Sequence, residues 1–193
     1  MYYVWQGDYK LVDHFSFFRD DPIGLDIGEF RSANKIVVDP PILELITDSS
    51  YPAELSDLLL TEFALHIVSP RLVQVFDSLS IENVQFFPIR IRNHETGKVN
   101  DEYKILNLIG AIDCLDFDSA DFEISRKSGE IIMLEEYKLL PDKITDYSDG
   151  ELNKMIFRLG EFKWHLLIQE EFKLACEKSG ITGCRFTSTE EYA

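Results

Sequence analysis

The chain has 193 residues, is 45% hydrophobic and 12% aromatic, and carries a formal net charge of −16. This composition is typical of an ordered globular protein that buries a core, and it excludes a wholly disordered chain. The charge argues against nucleic acid and anionic membranes as partners, because both repel carboxylates, and it would draw a basic partner. Acidity also keeps proteins soluble, so the charge alone does not choose between these interpretations.

Targeting and redox signals indicate a cytoplasmic protein. Cys114, Cys176 and Cys184 are too few, and odd in number, for a disulfide framework. The first residues lack the basic region and the small-residue cleavage site of a secretory signal, and no apolar run reaches membrane-spanning length. We therefore expect the chain in a reducing cytoplasm.

Residues 1–63 carry short strand-like and loop-like pieces. The sequence predicts strands over 2–5 and 35–38, the second one stopped by two prolines. A further stretch, 56–60, fits a strand or a helix equally well. We treat 1–63 as an N-terminal strand and loop region before an α+β core at 64–193, and expect one compact domain overall.

Two stretches of the core repeat one pattern at an offset of 100 residues. Each has apolar residues on one helical face, then a tight turn, then an alternating strand, which predicts helices over 68–79 and 168–179. Ser69 with Pro70 is a favourable helix start, and Gly180 is a favourable stop. The matched apolar pairs are Val68 and Ile168, Leu72 and Phe172, Ile81 and Ile181, Val84 and Cys184, and Phe86 and Phe186. We interpret this as an internal helix–turn–strand pseudo-repeat.

Strands are predicted between and after these helices. A hairpin pairs 86–91 with 103–112, and a second hairpin turns at Ser128 and Gly129. A polar connection at 141–150 leads to a strand at 155–159. The pattern predicts an α+β fold with mainly antiparallel sheet and two principal helices.

An ordered set of segments is similar to a known family. The segments are Ile81-Glu82-Asn83-Val84-Gln85-Phe86-Phe87-Pro88-Ile89-Arg90, Gly110-Ala111-Ile112-Asp113-Cys114-Leu115-Asp116, Ile156-Phe157-Arg158-Leu159 and Ser179-Gly180-Ile181-Thr182-Gly183-Cys184-Arg185-Phe186. Together they resemble a widespread bacterial family, first catalogued as a domain of unknown function and later as the eleventh numbered family of immunity proteins in polymorphic toxin systems. The resemblance covers 64–188 well and 1–63 loosely, and it departs at Cys114 and Gln169, where similar sequences usually carry Ala and Ser or Asp.

The resemblance implies a small cytosolic protein that binds and neutralises a cognate toxin domain. It implies no cofactor and no catalytic residue. It does not identify the toxin or say how the toxin is neutralised.

A cysteine and a cluster of carboxylates are the residues that could support chemistry. Cys114 lies beside Asp113, and a Cys–His dyad with one of four histidines is conceivable, although a small buried hydrophobe is the simpler interpretation. The densest acidic cluster comprises Asp113, Asp116, Asp118, Asp121 and Glu123. Its spacing fails as a calcium loop, because Asp121 stands at the sixth position and Lys127 at the twelfth.

Three interpretations of this acidic cluster stay open: a divalent cation site, a solvated loop, or a toxin-facing patch whose carboxylates mimic phosphates. We predict partner binding by Asp116, Asp118, Asp121 and Glu123.

The leading hypothesis for the chain is a non-enzymatic immunity protein. The alternative is a small cytosolic hydrolase or metal-dependent enzyme using Cys114 or the Asp116–Asp121 loop. A third hypothesis is a self-associating module that pairs through the edge of the Phe86–Ile112 hairpin.

Overall fold

The computed structural model describes residues 1–8, 16–18, 27–38, 40–47, 55–61, 65–147 and 154–189. These residues form an α+β fold, as predicted. The first half contains β1 (Tyr2–Gly7), β2 (Ser16–Phe18), a 3-10 helix η1 (Ile27–Arg31), β3 (Leu43–Thr47), β4 (Leu58–Leu60), β5 (His66–Val68), α1 (Pro70–Ser78), β6 (Val84–Asn93) and β7 (Val99–Asn100). The second half contains β8 (Lys104–Leu108), β9 (Ala111–Ile112), β10 (Leu115–Asp116), β11 (Phe122–Ile124), β12 (Ile131–Leu134), β13 (Lys138–Leu139), α2 (Pro141–Thr145), β14 (Ile156–Leu159), β15 (Leu166–Gln169), α3 (Glu170–Lys178) and β16 (Cys184–Ser188).

The strands form two large sheets and two small ribbons. The five-stranded sheet has the order β16-β1-β15-β14-β9, and the seven-stranded sheet has the order β2-β3-β6-β8-β5-β4, with β7 added to β6. The ribbons pair β10 with β13 and β11 with β12. Among the described pairs only β3–β6 and β9–β14 are parallel, so the predicted antiparallel character is confirmed.

The N-terminal region contributes strands to both large sheets. β1 lies between β15 and β16, while β3 and β4 belong to the seven-stranded sheet. The stretch 56–60, left open between strand and helix, contains a strand. A division of the chain at residue 63 stays a prediction.

The central core lies where the two sheets and the two nine-residue helices meet. Trp5 of β1 contacts Phe172 of α3, with ring centroids 5.4 Å apart, and Phe76 of α1 lies 5.1 Å from Phe172. Because successive side chains of a strand point to opposite faces, Val4 packs into a second core together with Phe157 and Tyr137. The five-stranded sheet is therefore covered on both faces.

The same secondary structure recurs at the predicted offset. The strand β5, helix α1 and start of β6 fall 100 residues before β15, α3 and β16. Both helices end in the same way, with Ser80 and Gly180 at φ 51° and 61°. That the two stretches superpose by one rotation stays a prediction. The helix boundaries were predicted wrongly, because Val68 and Ile168 pair as strand residues and the helices begin two residues later.

Three further predicted elements differ from the structure in part or in full. The strand predicted over 35–38 is wrong: this segment is irregular, and the Gln85 side chain bonds both the N–H and the carbonyl of Ile36. The polar connection begins with helix α2. The predicted hairpin is present as β6 and β8, but its return strand ends at Leu108, and Ala111–Ile112 form β9 of the five-stranded sheet. Both β6 and β8 are flanked on each side, so neither offers a free sheet edge. In the described ranges, no helix has the length and apolar character needed to cross a membrane.

Candidate partner-binding surface

The predicted acidic residues lie on the two ribbons and the turn between them. Asp116 stands opposite Lys138 in the β10–β13 ribbon. Its carboxylate accepts the N–H of Asp118 at 3.2 Å, and its carbonyl accepts the Ser119 hydroxyl at 3.1 Å. Asp116 is half-buried and holds the turn in shape, whereas Asp118, Asp121 and Glu123 are exposed.

The exposed carboxylates are available to a partner. In the described part of the chain, no hydrogen bond or ion pair engages the side chain of Asp118, Asp121 or Glu123. Residues 113–136 contain eight carboxylates and two basic side chains, which leaves −6 of the total charge of −16 on this segment. Within the described residues, no group of three or more His, Cys, Asp or Glu is placed to hold a metal ion.

A groove of about 580 Å³ adjoins the β11–β12 ribbon. Its walls come from η1, from the ribbon, and from the turn that joins β14 to β15. The segment around η1 contributes Gly28, Arg31 and Ser32. The ribbon contributes Ile124, Gly129, Glu130 and Ile131, Phe117 comes from the turn before the ribbon, and the β14–β15 turn contributes residues 160–164.

Large apolar side chains line this groove yet stay in contact with solvent. Phe117, Ile124 and Trp164 are each 52% exposed. On the ribbon itself, Ile132 and Met133 are also exposed. Single exposed apolar residues are ordinary on a protein surface, but a contiguous set is typical of an interaction site.

A buried arginine holds two walls of the groove together. Arg158 is 2% exposed and donates to the carbonyl of Lys163 at 2.7 Å and to the carbonyl of Phe30 at 3.0 Å. Burial, with the nearby Arg31 adding to it, lowers the pKa of Arg158 to about 10. Because its hydrogen bonds join the β14–β15 turn to η1, Arg158 fixes the spacing between these walls.

Further contacts join the same two walls. The Arg31 guanidinium lies 4.1 Å above the Trp164 ring, and Lys163 Nζ donates to the Ser32 carbonyl at 3.1 Å. At Gly160, a Cβ would overlap the Asp113 carboxylate, so the turn lies against residue 113 and any larger residue at 160 would displace that side chain.

The model of the Immunity protein family (Imm11) matches residues 5–191. The chain belongs to this family. The match takes in nearly all of the N-terminal region as well as the segments from which the resemblance was predicted, so that prediction is confirmed. Among curated proteins, none matches the chain.

Membership of the Imm11 family suggests an immunity function.

The geometry around Cys114 bears on the enzymatic alternative. Cys114 is fully buried, and its pKa is raised to about 12 by burial and by the nearby Glu161 and Asp113. At neutral pH this side chain is a thiol, which is a poor nucleophile. In the described residues no hydrogen bond links it to a histidine.

Two of the four histidines, His66 and His165, are buried in the core of this Imm11 chain, whereas His94 is exposed and His14 lies outside the described residues. His66 packs against Trp5, with ring centroids 5.5 Å apart, and the Tyr137 hydroxyl and His165 Nδ1 are 3.0 Å apart. Burial lowers the pKa of His66 to about 3, with a further contribution from Arg158, and burial lowers that of His165 to about 4. Both rings are therefore neutral parts of the core.

Sequence reasoning found the acidic residues but not the groove. None of Phe117, Ile124 and Trp164 was predicted to bind a partner. Arg31 lies more than 80 positions before Phe117 in the chain. The sequence does carry one signal of an exposed apolar surface. Residues 122–134 contain more apolar side chains than one buried face of a two-stranded ribbon requires.

Proposed function

We propose that this chain is a cytoplasmic immunity protein that binds a cognate toxin domain and neutralises it without chemistry. The observation that carries this proposal is the family match over residues 5–191. The geometry supports a binding role, because exposed carboxylates and exposed apolar side chains both occur on and beside the β11–β12 ribbon. Such a combination is typical of protein interfaces.

The predicted partner-binding residues have two roles in this proposal. Asp118, Asp121 and Glu123 meet Lys or Arg side chains of the toxin, since no bond from the residues that the structure describes occupies their carboxylates. Asp116 positions the turn, because its carboxylate already accepts the N–H of Asp118. The local charge speeds encounter with a basic partner more than it adds affinity.

The absence of chemistry is supported by the buried thiol of Cys114 and by the neutral buried rings of His66 and His165. A hydrolase that uses Cys114 would need a thiolate, and burial disfavours that charged form.

The proposal is tested by capture and co-expression. The tagged protein is used as bait in its native bacterium, and the retained partner is identified by mass spectrometry. That partner is then expressed in a heterologous host, alone and together with this chain. We expect growth arrest when the partner is alone and normal growth when both are present. The proposal is wrong if the bait retains no toxic partner and if deleting the gene of this protein leaves the strain unharmed beside its kin.

A further inference from the structure

The groove beside the β11–β12 ribbon has the features of a docking site for an anchor side chain. We propose that it seats one large apolar side chain, carried on a basic segment of the toxin. This inference rests on the proposed function and adds to it the surface used and the chemistry of the segment that occupies it.

The apolar lining is the first reason. Phe117 packs edge-on against Phe122, with ring centroids 5.6 Å apart, and so presents its remaining surface to the groove. Trp164 has one face covered by Arg31 and is 52% exposed. Ile124 faces the same space. Interface energy concentrates where a large side chain fills an apolar pocket, and about 580 Å³ is ample room for one.

The ribbon that forms one wall is the second reason. Within the described residues β11 pairs with β12 and with no other strand. Isolated two-stranded ribbons are marginally stable in water. This one also exposes Ile132 and Met133, 58% and 39% respectively. A partner segment laid along it would cover apolar surface that the chain itself leaves in water.

The charge distribution identifies the occupant. Glu130 lies on the rim of the groove, within the segment 113–136 that carries −6. The two cations on the other walls, Arg31 of η1 and Lys163 of the turn, already contact the Trp164 ring and the Ser32 carbonyl. A Lys-rich or Arg-rich segment therefore fits against the ribbon side, where carboxylates are unpaired. Its large aliphatic or aromatic residue would insert between Ile124 and Trp164.

The experiment measures affinity for the purified toxin domain obtained by the capture described above. Ile124→Ala and Trp164→Ala are compared with Leu174→Ala, a control on α3 whose side chain is 55% exposed. All variants are first checked for unchanged thermal unfolding. We expect each groove variant to weaken binding about tenfold or more, and the control to bind as the wild type does.

A second measurement identifies the occupant directly. Overlapping synthetic peptides that cover the toxin domain are titrated against the wild-type protein, and Trp164 fluorescence is recorded. The peptide that binds should be basic and should lose its affinity when its large apolar residue is replaced by alanine. Since Trp5 is buried, the signal reports mainly the groove.

The outcomes separate the two proposals. If the wild type binds no toxin, the proposed function fails, and the groove inference fails with it. If the wild type binds toxin while Ile124→Ala and Trp164→Ala bind equally well, the groove inference alone is overturned. It is also overturned if the binding peptide is acidic or needs no apolar residue.

Discussion

The carboxylate of Asp57 accepts two hydrogen bonds from Thr182, which lies 125 residues further along the chain. The Thr182 N–H is 2.9 Å and its hydroxyl 3.1 Å from Asp57 Oδ2. The same side chain accepts the Ser69 hydroxyl at 2.6 Å, and Ser69 caps the N-terminus of α1. Asp57 therefore joins the start of one helix to the turn that follows the other.

Removing this carboxylate should destabilise the whole fold. Asp57 is 4% exposed, so Asp57→Ala would leave the buried Ser69 hydroxyl without its acceptor and would also remove the acceptor of the Thr182 N–H. We expect a loss of about 3 kcal/mol in the free energy of unfolding, measured by urea denaturation. Asp77→Ala on the exposed side of α1 is the control. Equal losses for the two variants would contradict the proposed junction.

The tight approach of Gly183 to β4 gives a second prediction. Gly183 has φ +80°, and a Cβ there would lie 2.5 Å from the Leu58 carbonyl oxygen. Gly129 has φ +75° with no atom near its would-be Cβ, so Gly129→Ala reports backbone strain alone. We expect Gly183→Ala to lose about 2 kcal/mol more stability than Gly129→Ala. The prediction is checked by the difference between the unfolding midpoints of the two variants, provided that their m-values are equal.

The fold class and most core strands could be predicted because periodicity carries that information. The alternation around Phe86 and the helical spacing from Leu72 are local patterns, and both were read correctly. The 35–38 stretch shows where such patterns fail. Its Val and Ile residues favour a strand, but the side chain of Gln85 satisfies the backbone of Ile36, and no strand partner is needed.

The site was predictable only in part, for a related reason. Charge is visible in sequence, so the carboxylates of Asp118, Asp121 and Glu123 stood out. The groove exists because Arg158 joins η1 to the β14–β15 turn, and these elements are 128 residues apart along the chain. A buried arginine that donates to two backbone carbonyls has no sequence pattern of its own.

Buried neutral histidines predict acid sensitivity. The pKa of His66 is lowered to about 3, so the folded state excludes a proton that the unfolded chain takes up below about pH 6.5. The neutral, buried ring of His66 therefore costs no stability above pH 6.5. As the pH falls from there toward 3, the free energy of unfolding decreases. The slope approaches about 1.4 kcal/mol per pH unit for one proton.

The His66→Gln variant tests this dependence because it lacks the titratable ring. Its free energy of unfolding, measured between pH 7.5 and pH 5 by urea denaturation, should fall less steeply than that of the wild type. His94→Gln, at an exposed position, is the matched control. Parallel curves for wild type and His66→Gln would mean that His66 takes up a proton as readily in the folded state as in the unfolded state.

Neutralising the exposed carboxylates should slow toxin binding. The triple variant Asp118→Asn, Asp121→Asn, Glu123→Gln removes three charges without breaking a described hydrogen bond. We expect a lower association rate at low salt, a weaker salt dependence and a nearly unchanged dissociation rate, measured by surface plasmon resonance.

A variant with the same loss of charge elsewhere separates local from global effects. Asp77→Asn, Glu82→Gln, Glu95→Gln changes the net charge equally at exposed positions outside the ribbons. If both triple variants slow association to the same extent, net charge rather than this surface attracts the toxin.

The central claim is neutralisation by binding alone, and a stoichiometric titration tests it most directly. The toxin's activity is measured while this protein is added in known amounts, and the toxin's mass is then determined. Our account predicts that activity falls linearly to zero near one equivalent, that the toxin's mass is unchanged, and that Cys114→Ala gives the same end point. Inactivation by a small fraction of an equivalent, or a change in the toxin's mass, would contradict it.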